Sequence, residues 1–155
     1  MGIVSSPALK KIIFRLKRQK KKIVFANGCF DLLHTGHITL LRKAKSLGDI
    51  LIVGLNTDQS VRKLKGRGRP LVPQKDRALV LAALRDVDFV VFFSEPTPIN
   101  LIRTLSPDVL VKGADYQKSQ IVGADWVVSK GGRVVRIPLV KGKSTTAIRR
   151  KIERF

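Results

Sequence analysis

The chain has 155 residues, enough for one domain with a real core, and its single cysteine excludes an internal disulfide framework. No apolar run approaches a membrane span and residues 1–22 are too charged for a secretory signal, so no membrane insertion and a cytoplasmic location are expected. The 31 Lys and Arg against 11 Asp and Glu give a net charge of +20, which implies attraction to anions: nucleotides, sugar phosphates, nucleic acid or acidic membrane surfaces.

Residues 1–22 read as a basic amphipathic N-terminal helix packed on the domain. Leu9, Ile12, Ile13 and Leu16 recur at helical spacing between Pro7 and Arg18. The cluster Lys17-Arg18-Gln19-Lys20-Lys21-Lys22 reads as a solvated helix end, where cations favour the C-terminal dipole, with a nucleic-acid contact as the alternative. Residues 23–155 read as the single domain. It opens on a strand, Ile23 to Ala26, and passes through Asn27-Gly28-Cys29-Phe30-Asp31-Leu32-Leu33-His34-Thr35-Gly36-His37 into a helix that runs to about Leu47. Such a strand, tight loop and helix start aims backbone N–H groups and a helix dipole at one spot, where a phosphate is the natural guest. His34 and His37 are the only histidines and are three apart, so they share a helix face. Half of a metal site is the rival reading, but Cys29 is the only other soft ligand nearby and a closed zinc site needs four. Ordinary polar residues at a helix start are another. A dinucleotide-binding turn would need G-x-G-x-x-G, which Gly28 and Gly36 do not supply.

Ile50 to Leu55 is a continuous apolar run, a strand covered on both faces. Thr57 caps a short helix through Leu64. The basic, glycine-rich Lys65-Gly66-Arg67-Gly68-Arg69-Pro70 reads as a surface loop or as a flap that closes on phosphates. Then follow a helix from Gln74 to Leu84, a strand from Val87 to Phe93, a helix from Pro98 to Leu105 and a strand from Val109 to Val111. Ile121 to Lys130 is a helix, Val134 to Ile137 a strand, and Lys141-Gly142-Lys143-Ser144-Thr145-Thr146 leads into a last helix, Ala147 to about Arg154. The alternation implies an α/β domain: an open, mostly parallel five-stranded sheet with helices on both faces. Ligands of such sheets sit beyond the carboxyl ends of the strands, and the informative loops follow Ala26, Leu55, Val111 and Ile137.

Gly142-Lys143-Ser144 is not a Walker A loop, because Ile137 stands where that motif needs a glycine. Ser144, Thr145 and Thr146 instead offer hydroxyl and backbone donors at a helix start, suited to holding phosphates, or to plain capping.

Taken together, the His34-Thr35-Gly36-His37 stretch with its Gly-x-Phe-Asp lead-in resembles the H-x-G-H signature of the cytidylyltransferase-like nucleotidyltransferases, a Rossmann-like fold. The Ser144 to Thr146 segment resembles their second motif. Arg69 to Arg77, Lys112 to Tyr116, Ile121 to Asp125 and Gly142 to Thr146 are similar to the adenylyltransferase half of the bacterial ADP-heptose synthases, with Ala114 where that family often has a second glycine. The resemblance covers nearly the whole chain from Ile23. It implies transfer of AMP from ATP to D-glycero-β-D-manno-heptose 1-phosphate, with pyrophosphate released, by a stand-alone form without the sugar kinase.

The same resemblance implies the roles. His34, His37 and Lys43 act on the transferring phosphate, and Asn27, Gly28, Cys29, Phe30 and Gly36 approach it. Lys112, Gly113 and Asp115 lie near the adenosine, while Ser144, Thr145 and Thr146 hold the leaving pyrophosphate. Asp31, Asn56, Asp58, Arg69 and Arg77 are candidates for the sugar-phosphate side. Mg²⁺ is expected on the triphosphate itself with few or no protein ligands, and a homodimer is expected. Another transferase of the fold, for glycerol 3-phosphate or FMN, is the alternative within the class. A nucleic-acid-binding module is the alternative outside it, disfavoured by sparse aromatics.

Overall fold

The computed structural model describes every residue except 1, 139, 141, 153 and 155; Lys141, at the head of the Ser/Thr segment, thus lies outside the described residues. Its centre is β2 (Ile23–Gly28), whose side chains alternate between two apolar layers. Val24 and Ala26 enter one core cluster, Ile23 and Phe25 the other. β3 (Ile50–Asn56) lies parallel beside it, with Ile23 opposite Ile50 and Gly28 opposite Leu55. β4 (Phe89–Phe93) continues outward on that side, while β5 (Val109–Gly113) and β6 (Arg133–Ile137) extend the other.

The sheet has six strands, not the expected five. Gly2–Val4 forms β1, which pairs in parallel with β4 at the edge and gives the order β1-β4-β3-β2-β5-β6. Three residues are too few for a period to show, and the Gly2 N–H to Asp88 carbonyl bond (2.9 Å) is a tertiary contact.

Helices cover both faces. α1 (Ser6–Arg18), α5 (Ile99–Leu105) and α6 (Ala124–Ser129) bury Leu9, Ile13, Ile102, Leu105 and Val127 against the Phe25 layer. α2 (Thr35–Lys45) and α4 (Gln74–Ala82) bury Leu41, Ala44, Ala78 and Leu81 against the Val24 layer. α3 (Asp58–Lys65) follows β3, with Thr57 capping it as expected: its hydroxyl accepts the Ser60 N–H at 3.3 Å. α7 (Thr145–Ile152) closes the described chain.

α6 is shorter than the helix expected from Ile121. Gly123 sits at φ 85°, and a Cβ there would come within 2.7 Å of Ile102, so the chain turns first and the helix begins at Ala124. From β2 the chain winds outward through β3 and β4, then returns to β5 on the other side. The carboxyl ends of β2 and β5 therefore flank the point where the strand order reverses, which is where open α/β sheets bind ligands.

Candidate active site

Between β2 and α2 the backbone makes a tight passage. Phe30 adopts a left-handed conformation, φ 43°, unusual for a bulky residue and held by its burial in the core. His34 is the N-cap of α2, and its Nδ1 accepts the Gly36 N–H at 3.1 Å. This hydrogen bond leaves the His34 proton on Nε2. The N–H groups of His37 and Ile38 both bond to the His34 carbonyl. The Gly36, His37 and Ile38 amides are thus all engaged by His34, so the helix end acts on an anion through its dipole, with the His37 imidazole on the cleft.

His37 stacks on His34 with centroids 3.9 Å apart and planes 21° from parallel, and it tilts against Phe30 at 5.2 Å. Burial, then the His34 neighbour, push His37 down to about 4, against an opposing pull from the Leu32 backbone. His34 is lowered too, by burial and by the charge of Lys143. Both rings are therefore neutral at pH 7. Only room for a hydrogen lets the pair stand this way: a Cβ on Gly36 would lie 2.9 Å from the His34 ring and 3.5 Å from the Lys143 carbonyl. The same close approach brings the lead-in of α7 against the start of α2.

A cleft of about 720 Å³ opens at the carboxyl edge of the sheet. Asn27, Gly28, Cys29, Phe30, Asp31 and His37 line it after β2, Lys112, Gly113 and Asp115 after β5, with Asn56 at the end of β3, Arg69 from the glycine-rich loop, and Thr145 and Thr146 from the start of α7. These are thirteen of the nineteen candidates read from the sequence, brought together from five loops. The buried Asn27 Oδ1 and His37 Nδ1 have no hydrogen-bond partner among the described residues. Burial draws Lys112 below the usual lysine range, with Asp115 opposing; its ammonium lies over the Tyr116 ring at 5.0 Å. Burial likewise pushes the Cys29 thiol up, against the charges of Lys65 and Arg77.

Six candidates stand off the wall, for identifiable reasons. His34 and Gly36 support His37 from behind, as described. Lys43 is exposed on α2 and does not line the cleft, so the expected contact with the transferring phosphate is not supported. The Ser144 hydroxyl accepts the Ala147 N–H at 3.1 Å, the plain capping role. Arg77 is corrected most fully. It is 2% exposed, and its guanidinium donates to the carbonyls of Val72, Cys29 and Asn56 and to Asp58 Oδ1 at 2.7 Å. Arg77 and Asp58 are therefore a strut beneath the loops rather than ligands for a sugar phosphate.

Asp31, though on the wall, is also engaged. It accepts Arg69 Nη1 at 2.9 Å and the N–H groups of Leu71 and Val72 at 2.8 and 2.9 Å. Burial alone would raise its carboxyl, but these hydrogen bonds overrule it and hold it below the usual range. The latch ties the glycine-rich loop to the turn after β2.

The profile of the cytidylyltransferase-like family matches residues 25–151, from the middle of β2 into α7. The chain belongs to the cytidylyltransferase-like family. It is thereby a nucleotidyltransferase by family, in keeping with the parallel sheet. The bifunctional protein HldE of Geotalea uraniireducens (strain Rf4) is 56% identical over 145 residues, which are 94% of this chain and 30% of that protein; the chain thus spans about a third of such a relative's length. The crystal structure of the lipopolysaccharide core biosynthesis protein from Thermoplasma volcanium GSS1 is 26% identical, with a TM-score of 0.64 over 79% of this chain and 99% of that one. A pantoate-β-alanine ligase from Francisella tularensis, crystallised with β-γ ATP and β-alanine, shares the fold at 21% identity, with a TM-score of 0.70 over 97% of this chain and 73% of that one.

In this family member the cleft also takes in residues beyond the nineteen candidates: Lys65, Thr97, Tyr116 and Arg149. Each had a signal. Lys65 heads the glycine-rich loop, Thr97 follows a strand's carboxyl end, Tyr116 adjoins Asp115, and Arg149 is one helical turn beyond Thr145. No cluster of three or more His, Cys, Asp or Glu among the described residues is placed to hold a metal.

Proposed function

We propose that this protein is an adenylyltransferase that joins AMP from ATP to D-glycero-β-D-manno-heptose 1-phosphate. The anomeric phosphate oxygen attacks the α-phosphorus, and pyrophosphate leaves with the electron pair of the broken P–O bond. The nucleophile is already an anion, so the protein supplies alignment and charge neutralisation rather than a strong base. The observation that carries the reading is the stacked, neutral imidazole pair at the α2 N-terminus, whose His37 lines the same cleft as Thr145 and Thr146. The likeness to HldE and to the lipopolysaccharide core biosynthesis protein supports the heptose substrate.

His37 donates to the α-phosphate oxygen that gains charge as the five-coordinate state forms, and His34 donates from Nε2 while holding its partner's ring. Asn27 and Lys112 meet the nucleotide from the β2 and β5 ends, with Gly113 and Asp115 beside the adenosine. Gly28, Cys29 and Phe30 let the backbone approach the phosphate. Thr145 and Thr146 hold the departing pyrophosphate. Arg69, fixed by Asp31, faces the sugar phosphate. The donor set is basic and amide-rich, and the Asp31 carboxylate is taken by Arg69 and two amides. A Mg²⁺ would accordingly be held by the triphosphate rather than by a protein cage, and would supply charge neutralisation there. A cytoplasmic homodimer goes with this reading.

The test is pyrophosphate release and product mass with ATP and heptose 1-phosphate, set against CTP with glycerol 3-phosphate and ATP with FMN. The expected product is ADP-heptose. His37→Ala should lower turnover by about two to three powers of ten. A different preferred acceptor would overturn the substrate, and near-wild-type turnover in the variant would remove the imidazole from the chemistry.

A further inference from the structure

The first acidic residue of the chain is Asp31, so everything before it carries only positive charge. On α1 the cations are Lys10, Lys11, Arg15, Lys17 and Arg18; Lys20, Lys21 and Lys22 follow directly, and all of them are exposed. Among the described residues no ion pair involves any of them. Lys17 alone has a polar contact of note, to the Ser106 carbonyl at 2.6 Å. The carboxylates of Asp49 and Asp108 accept the N–H groups of Lys22 and Ile23.

In the middle of this surface stands Phe14, 65% exposed, with the Arg18 guanidinium 5.9 Å from its ring. Lys10, Lys11, Phe14 and Arg18 follow helical spacing and form one stripe. Its opposite side, Leu9 and Ile13, is fully anchored in the core. The helix is therefore rigidly mounted, with an apolar ring and long cationic stems pointing outward. Because α1 crosses from β1 back to the start of β2, its basic end lies at the amino edge of the strands. The cleft is at the carboxyl edge, so a partner on α1 leaves it open.

We propose that the outer face of α1 with Lys20 to Lys22 is a docking surface for an anionic lipid bilayer. Charge alone would suit nucleic acid equally, but a phosphate backbone gives Phe14 nothing to do. At the boundary between headgroups and acyl chains the ring is buried, while the Lys and Arg stems reach back to the headgroups. One inserted ring and one polybasic segment give the two signals that reversible surface attachment requires.

Co-sedimentation of the full chain with vesicles tests this. Vesicles of two parts phosphatidylcholine to one part phosphatidylglycerol should carry the protein down at low salt, and pure phosphatidylcholine vesicles should not. Replacing Lys20, Lys21 and Lys22 together by Ala should weaken partitioning by roughly fivefold per cation removed. Phe14→Ser should weaken it by about tenfold. Removing three exposed cations elsewhere, by Lys63→Ala, Lys75→Ala and Arg85→Ala, should change it little. All these side chains are exposed, so melting temperature does not fall and pyrophosphate release stays as in the wild type. The proposal is overturned if the two vesicle types behave alike, or if the distant triple variant loses as much as the local one. Binding insensitive to Phe14→Ser, together with tighter binding to random RNA oligonucleotides, would overturn it in favour of nucleic acid.

Discussion

His37 is neutral because it is crowded, and this has a measurable consequence. Its folded pKa is about 4 against the ordinary 6.5. Between those values the unfolded chain binds more protons than the folded one, so stability is full above 6.5 and declines as pH falls through the window. A nucleotide phosphate beside the ring favours the charged form and raises its pKa, so nucleotide binding in that same window should take up protons. Imidazole resonances followed by NMR across pH, with and without ATP, check both statements; a His37 that titrates at or above 6.5 in the unliganded protein would refute them. The two histidines, the glycine between them and the threonines of α7 could be picked out by residue type and by their resemblance to the family motifs. What spacing does not carry is direction. Nothing in the letters distinguishes Arg69, on the cleft, from Arg77, beneath it, since only the packing of α4 buries one and not the other.

Arg77 also shows how the loops are held. From α4 it reaches three carbonyls and Asp58, so the turn after β2, the end of β3 and the segment before α4 share one guanidinium. Removing it leaves these acceptors and a carboxylate without their donor. Arg77→Ala should cost about 3 kcal/mol, and Arg77→Lys should recover little, because a point charge cannot reproduce the planar fork. Urea denaturation with an unchanged slope is the measurement, and a loss under about 1 kcal/mol would mean that water substitutes freely. The helices and inner strands were legible because their apolar period is strong: Ile23 to Ala26, Ile50 to Leu55 and Leu9 to Leu16 announce themselves. The ends and edges were not. β1 is an edge strand recruited by β4, and α6 starts late because Gly123 packs on Ile102 in a conformation that the helical pattern around it conceals.

The charge belongs to the molecule as a whole. With +20 on 155 residues, like charges repel in the compact state more than in the expanded one, and small ions screen that repulsion. Adding sodium chloride from a few millimolar to physiological strength should raise the melting temperature by a few degrees. A fall, or no change, would mean that local ion pairs such as Lys45 with Asp88 outweigh the net repulsion. Fold class and family followed from alternation and motif, but the place of the surplus charge did not, because only the crossover of α1 sends Lys20 to Lys22 away from the cleft.

All six strands point the same way. A unidirectional sheet has two unequal rims, and every turn of the proposed site falls on one of them. On the other rim Asp49 and Asp108 clasp the backbone, and an inserted loop, a dye or a tether there should leave turnover undisturbed, which makes it the rational place to build on this scaffold.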